Sequence, residues 1–236
     1  LKNANLTGAD LTGANLTGVN LRNATLTNVT IDSAELTDAA LAGVSSGQVI
    51  GEPASMPRMW GVLHGYIVGP GAVLRSARLT YTSFVGISLQ GANLTGAALS
   101  YSSLNGVNMS STNFNGATLA HASLIGADFS QSSLYKANIS FANASQANFT
   151  RAKLTELNFT HATAVNAVFV HANLTKVDFA ATNLSNANLS NAALRGVLLG
   201  KAYLKGLLAT GTNGTPGSLP MKWFVQNGTI KGPGSR

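Results

Sequence analysis

Rings recur along this chain at a fixed interval. Tyr81, Tyr101, His121, Phe141 and His161 stand 20 residues apart, and the series runs on through Ala181 and Lys201. Side chains of these types do two kinds of chemistry: imidazoles ligate metals or move protons, and aromatic rings bury against a partner protein, a neighbouring fibril or a glycan. Two tryptophans, Trp60 and Trp223, are the other large rings whose surroundings repeat. What any of them can do depends on whether the backbone brings positions 20 apart together.

The elements that must position them are set by a five-residue beat. Ala4-Asn5-Leu6-Thr7-Gly8, Ala9-Asp10-Leu11-Thr12-Gly13 and Ala14-Asn15-Leu16-Thr17-Gly18 follow one another without a gap. With the large apolar residue as centre, the first series runs from Leu1 to Leu41, and the residue two before each centre is small and apolar. A second series runs from Leu74 to Ala209 without an insertion, and only Ala144, Ala164 and Ala209 lack a bulky centre. A period of five matches neither an α-helix nor a flat strand, so each unit must form one side of a coil that stacks on its neighbours.

The pattern resembles the pentapeptide-repeat family, whose consensus is a small residue, Asp or Asn, Leu or Phe, Ser or Thr, then often Gly. The likeness covers about four fifths of the chain. It implies an all-β fold, a right-handed quadrilateral β-helix with four units per coil and both apolar positions facing inward. The 28 centres from residue 74 to 209 would make seven coils, roughly 34 Å at the inter-strand spacing of about 4.8 Å. Residues 20 apart would then lie above one another. Phe129, Phe149 and Phe169 become an interior column, and Ala144 and Ala164 in the same coils offset their extra volume in a core that must fill to near-crystal density.

On that frame the ring series becomes one outward column, a candidate lateral interface of Tyr81, Tyr101, His121, Phe141 and His161. Metal ligation fails on distance: His121 and His161 are two coils apart, about 9.6 Å, against the roughly 2.1 Å that a ligand needs. His171 belongs to another face. No Ser, His and carboxylate converge on a rod where each occurs singly, so no catalytic residue, metal or cofactor is expected and the chain reads as noncatalytic.

The segment that breaks the beat occurs twice, from Gly51 to Gly71 and from Gly214 to Gly234. Trp60 matches Trp223, Val62 matches Val225, Ile67 matches Ile230, and both copies end in Gly-Pro-Gly. The turn residues His64-Gly65 and Asn227-Gly228 predict a β-hairpin, a plug over a coil end built from Trp60, Val62, Ile67, Trp223, Val225 and Ile230. It resembles the connectors that punctuate large bacterial secreted members of the family. The expected organisation is a short block at 1–45, a connector at 46–71, a main block at 72–211 and a second connector at 212–236.

Composition excludes several functions. The chain carries 15 basic and 8 acidic residues, net +7, with charge at only 10%. The family resemblance implies one use to weigh, that of DNA mimics that bind type II topoisomerases, and these need an acidic face; the sign here is wrong. Basic residues are scattered, not gathered into a stripe with aromatics, so nucleic acid is disfavoured as a partner. There are no cysteines, and no apolar run approaches the roughly 18 residues of a membrane span. Asn-x-Thr sequons such as Asn5-Leu6-Thr7, Asn93-Leu94-Thr95, Asn148-Phe149-Thr150 and Asn227-Gly228-Thr229 arise from the consensus itself. Outward Thr columns are mixed, Thr80, Ser100, Ala120, Ser140, which lacks the single-residue lattice of an ice binder.

The chain starts inside a repeat with no Met or leader, which is expected of a mature product, an excised segment or the ordered part of something longer. Its phase carries a further expectation. Ser235 and Arg236 followed by Leu1 would complete one unit, so Leu1, Lys2, Ala4 and Leu6 are expected to meet Pro233, Gly234, Ser235 and Arg236 of another copy. A contact of that kind does not close on itself and gives a filament. The sequence thus points to a structural, self-assembling subunit or segment of an extracellular filament or long cell-surface protein, joined head to tail either covalently or by stacking. The alternative is a binding module that contacts a protein or glycan through the ring column.

Overall fold

One unit explains the rest. In the computed structural model, which describes residues 1–233, Ala92 and Leu94 are buried and point inward. Asn93 between them lies in the ladder, bridged to Val73 below and Asn113 above. The Asn93 N–H donates to the Ala72 carbonyl at 2.8 Å and the Leu94 N–H to the Asn113 carbonyl at 2.7 Å. The chain then turns through Thr95-Gly96, closed by the Ala97 N–H on the Leu94 carbonyl at 3.0 Å. Asn93 Oδ1 accepts from both the backbone N–H and the hydroxyl of Thr95, at 3.2 and 2.7 Å. This local bond is what the Asn-x-Thr consensus provides, and it pre-forms the corner. The last position of the unit has positive φ, +67° at Gly96, which accounts for its glycines.

Stacked units build a β-helix in which residue i pairs in parallel with i+20, from Asn5↔Thr25 to Leu198↔Ser218. Each side contributes little more than one bridging residue, so few strands are long enough to label. β1 (Thr25–Thr27) pairs in parallel with β2 (Ser45–Gly47); β3 (Gly61–Leu63) and β4 (Tyr66–Val68) form an antiparallel hairpin, as do β5 (Phe224–Gln226) and β6 (Thr229–Lys231). His64 and Gly65 both have positive φ, +49° and +74°, as do Asn227 and Gly228, +49° and +67°. Positive φ at both central residues is the type I′ turn, whose twist matches the flanking strands.

The connector boundaries differ from the sequence expectation. The ladder continues past residue 45 through Thr30↔Ile50 and Glu35↔Ser55, and past 211 through Ala193↔Asn213 and Leu198↔Ser218. Backbone pairing needs no large centre, so it outlasts the apolar beat. After Ser55 the chain leaves the coil, forms the β3–β4 hairpin and returns to stack Val73 on Ser45, 28 residues apart instead of 20. The first hairpin is therefore an eight-residue excursion within one ladder, seated between an early core from Leu16 to Ile67 and a later one from Val68 onward.

Inside the main core, Phe129, Phe149 and Phe169 stack at 4.9 Å between centroids. Phe159 on the opposite wall meets Phe149 and Phe169 edge-on at 5.8 and 6.0 Å. The fully buried Ala144 and Ala164 lie in these coils, where the large side chain they lack leaves space for the rings.

Candidate interaction surfaces

All five rings of the outward column sit at the left-handed position of their units, with φ between +56° and +61°. They stack face to face, centroids 4.7 to 4.9 Å apart and planes within 6° of parallel. A bulky residue in this conformation costs about 1–2 kcal/mol, and each ring pair returns about 0.5–1.5 kcal/mol. Stacking thus offsets strain, and it occupies the interior ring faces. What the column shows to solvent is a ladder of ring edges, with Tyr81 74% and Phe141 52% exposed.

Each hairpin's Trp lies against a glycine. Gly71 carries the ladder between Gly43 below and Gln90 above, with N–H···O distances of 2.9 and 2.8 Å. That places Gly69 between Leu41 and Leu89, where a large centre would stand. Its missing side chain is replaced by the Trp60 indole, and a Cβ on Gly69 would fall 2.1 Å from Trp60 Cδ2. Gly232 and Trp223 repeat the arrangement at 2.2 Å. Each hairpin also inserts an isoleucine beside a small centre. The Ile67 N–H donates to Ser46 Oγ at 2.8 Å and the Ile230 N–H to the Ala209 carbonyl at 3.1 Å, and both isoleucines are buried.

The two hairpins differ in what lies above them. Over the first, Ile87 packs on Gly61 and Ser88 N–H donates to the Met59 carbonyl at 3.2 Å. Thr82 Oγ1 lies 3.2 Å from His64 Nδ1, and the Arg78 N–H reaches Tyr66 Oη at 3.4 Å. This coil bends away from the ladder at Val85 to Ser88, opening a groove of about 470 Å³ beside Met59, Pro70, Val85 and Ile87. Ile87 at a position normally held by Ala was the sequence signal for that groove. Over the second hairpin no coil lies among the described residues, and Met221, Phe224 and Val225 are 88%, 52% and 39% exposed.

The opposite end of the rod is also open. Leu1 is 55% exposed, and Leu6, Leu11, Ala4, Ala9 and Ala14 are only partly buried, whereas the same positions in central coils are closed to solvent. Asn5, Asp10, Asn15 and Asn20 bridge only to the coil above. Of the expected junction, Pro233 is exposed, while Gly234, Ser235 and Arg236 lie outside the described residues.

The pentapeptide-repeat family model matches in eight copies, over residues 1–44, 72–110 and overlapping stretches from 112 to 200. The chain belongs to the pentapeptide-repeat family. Its members fold as right-handed quadrilateral β-helices, and so does this chain. Among solved structures it is similar to Rfr23 from the cyanobacterium Cyanothece, 29% identical over 42% of this chain and 64% of that one, TM-score 0.37. It is similar also to HetL from Nostoc, a pentapeptide repeat protein involved in heterocyst differentiation regulation, 22% identical over 89% and 87%, TM-score 0.35. Full-length QnrB1, a plasmid-mediated fluoroquinolone resistance protein, is 13% identical over 99% and 91%, TM-score 0.38. Comparison with curated proteins gives no match.

Ion pairs on this pentapeptide-repeat rod follow the same 20-residue columns. Lys136 and Lys176 flank Glu156 at 3.6 and 3.9 Å. The Tyr135 hydroxyl beside Lys136, and then Glu156, hold that ammonium above its ordinary pKa. Thr12, donating from hydroxyl and backbone, holds the Asp10 carboxyl below the usual range. Both groups are exposed, where such pairs contribute little to stability. Among the described residues there is no cluster of three His, Cys, Asp or Glu that could hold a metal, and no helix long and apolar enough to cross a membrane.

Proposed function

We propose that this protein is a noncatalytic structural element that stacks head to tail through the ends of its β-helix, as a subunit or segment of an extracellular filament or long cell-surface protein. One observation carries the reading. The chain contains an internal seam in which a Trp hairpin is covered by a following coil, and it repeats the same hairpin at β5–β6, where Met221, Phe224 and Val225 stay exposed among the described residues. At the near end it bares a coil whose apolar interior and ladder edge face solvent. Open β-edges of this kind pair with whatever complementary edge is available, and two unlike ends that match generate an open chain of subunits. The extracellular or cell-surface setting is part of the proposal and rests on the sequence resemblance of the Gly-Pro-Gly connectors alone. Sedimentation equilibrium over a wide concentration range tests the stacking. The weight-average mass should rise steadily with concentration above 24.2 kDa as stacks of whole copies form, and a single 24.2 kDa species throughout contradicts it.

A second reading rests on the half-exposed ring ladder, whose edges offer an apolar stripe to a protein or glycan. Replacing Tyr101, His121 and Phe141 with Ser should then abolish lateral association or ligand retention while leaving end-to-end growth intact.

A further inference from the structure

We infer that the first coil of a second copy seats on the C-terminal hairpin of one copy in the register of the internal seam, with Phe224 filling the space beneath Ala14. This rests on the head-to-tail reading and specifies its contact. The hairpins superpose in sequence at a constant offset, so that Met59, Gly61 and Val62 correspond to Lys222, Phe224 and Val225. Laying the first coil over the second hairpin as the coil beginning at Leu74 lies over the first makes Leu1, Leu11, Ala14 and Leu16 the counterparts of Leu74, Phe84, Ile87 and Leu89.

The decisive pair is the one whose sizes are exchanged. In the internal seam Gly61 has no side chain because Ile87 fills its space, and a Cβ there would lie 2.9 Å from Ile87 Cδ1. At the open hairpin that position is Phe224, half exposed, and the residue that would face it is Ala14, itself only partly buried. Small beneath large becomes large beneath small, which conserves the kind of fill a packed seam requires. A bare Phe at the start of a hairpin strand has no such need, and neither does an uncovered Ala. The backbone contact carries over as well, since the Ser88 N–H on the Met59 carbonyl becomes the Asn15 N–H on that of Lys222. Two polar contacts do not carry over: Asn227 and Ala9 replace the His64–Thr82 pair, and Thr229 is too short to replace Tyr66 against Asn5. Packing therefore carries the specificity of this seam.

The register also closes along the rod. The first excursion takes eight residues, and a second of equal length in this register leaves 220 of the 236, eleven coils of 20. The second copy's Leu1 then falls on the column of Leu21 and Leu41, over the small centre Ala209, with no change of face.

Exchange of the pair tests it. Ala14→Ile should clash with Phe224 and weaken end-to-end association at least tenfold by sedimentation, and Ala14→Ile with Phe224→Gly, which recreates the internal pair, should recover most of the loss. Ala14→Ile copies keep an intact hairpin, so added in trace they should join wild-type stacks and stop them, shortening the average length; a misfolded variant would not. Wild-type growth with no effect of Ala14→Ile overturns the seam and leaves head-to-tail stacking standing. Loss without recovery in the double variant also overturns it. A wild-type chain that never grows overturns the seam and the stacking reading together.

Discussion

Adding one methyl group at Gly69 should separate the two connectors. The new Cβ would sit 2.1, 2.3 and 2.6 Å from three Trp60 ring atoms, more than an ångström inside van der Waals contact. Trp60 is packed against both cores and covered by the coil above, so it cannot retreat without opening that seam. Overpacking of this kind costs about 1–3 kcal/mol, and partial expulsion of a Trp adds a fraction of the roughly 3–5 kcal/mol that its removal costs. A smaller unfolded ensemble returns about 0.4–1 kcal/mol. Gly69→Ala should therefore destabilise the chain by about 3 kcal/mol. Gly232→Ala makes the same clash with Trp223 at 2.2 Å, but no coil covers Trp223 among the described residues, so it can tilt away and the cost should stay near 1 kcal/mol or less. Urea unfolding followed by Trp60 fluorescence in a Trp223→Phe background, and by Trp223 fluorescence in a Trp60→Phe background, reads each site separately. Equal losses at the two sites, or none at Gly69, would refute the reasoning that the covering coil locks Trp60 in place.

Restoring the repeat consensus should harm the protein at two places in the core and be nearly neutral at a third on the surface. Ser46→Leu would take the volume that Ile67 uses and remove its hydroxyl acceptor, costing about 2–4 kcal/mol and making the first hairpin protease-sensitive. Ala164→Leu should lower stability by about 1–3 kcal/mol because Phe159 and Phe169 fill that space, and Ala164→Leu with Phe169→Leu should recover much of it in a thermal melt. On the outward column, Phe141→Gly relieves left-handed strain of about 1–2 kcal/mol while losing two ring stacks, so its melting temperature should move little. Phe141→Val, which keeps the strain and loses the stacks, should cost about 2 kcal/mol more than Phe141→Gly.

Much of this was legible in the residues. A period of five with two inward positions dictated the coil, and matching Phe129, Phe149 and Phe169 to Ala144 and Ala164 read the core's volume balance from the residues alone. His64-Gly65 and Asn227-Gly228 marked the hairpin turns. Three features were hidden for a physical reason. The ladder's extension to Ser55 depends on backbone pairing, which leaves no apolar signature. Ala209 looked like a lapse in the beat and Ser46 fell past the end of the first series, because their meaning lies in Ile230 and Ile67, distant in sequence. Mutual stacking of the column's rings was one reading the sequence offered, but the left-handed backbone beneath them was hidden, because a glycine consensus shows the permission and not the conformation a ring adopts there. The exchange between Gly61–Ile87 and Phe224–Ala14 was likewise invisible until the first seam showed which residues face each other.

The central claim is that unlike ends of this β-helix join. Electron microscopy of the purified chain at increasing concentration tests it most directly. Stacking in the seam register predicts rods that lengthen, with an axial repeat of about 53 Å from eleven coils at about 4.8 Å each. Single rods of constant length at every concentration, or side-by-side bundles with no such repeat, would contradict it.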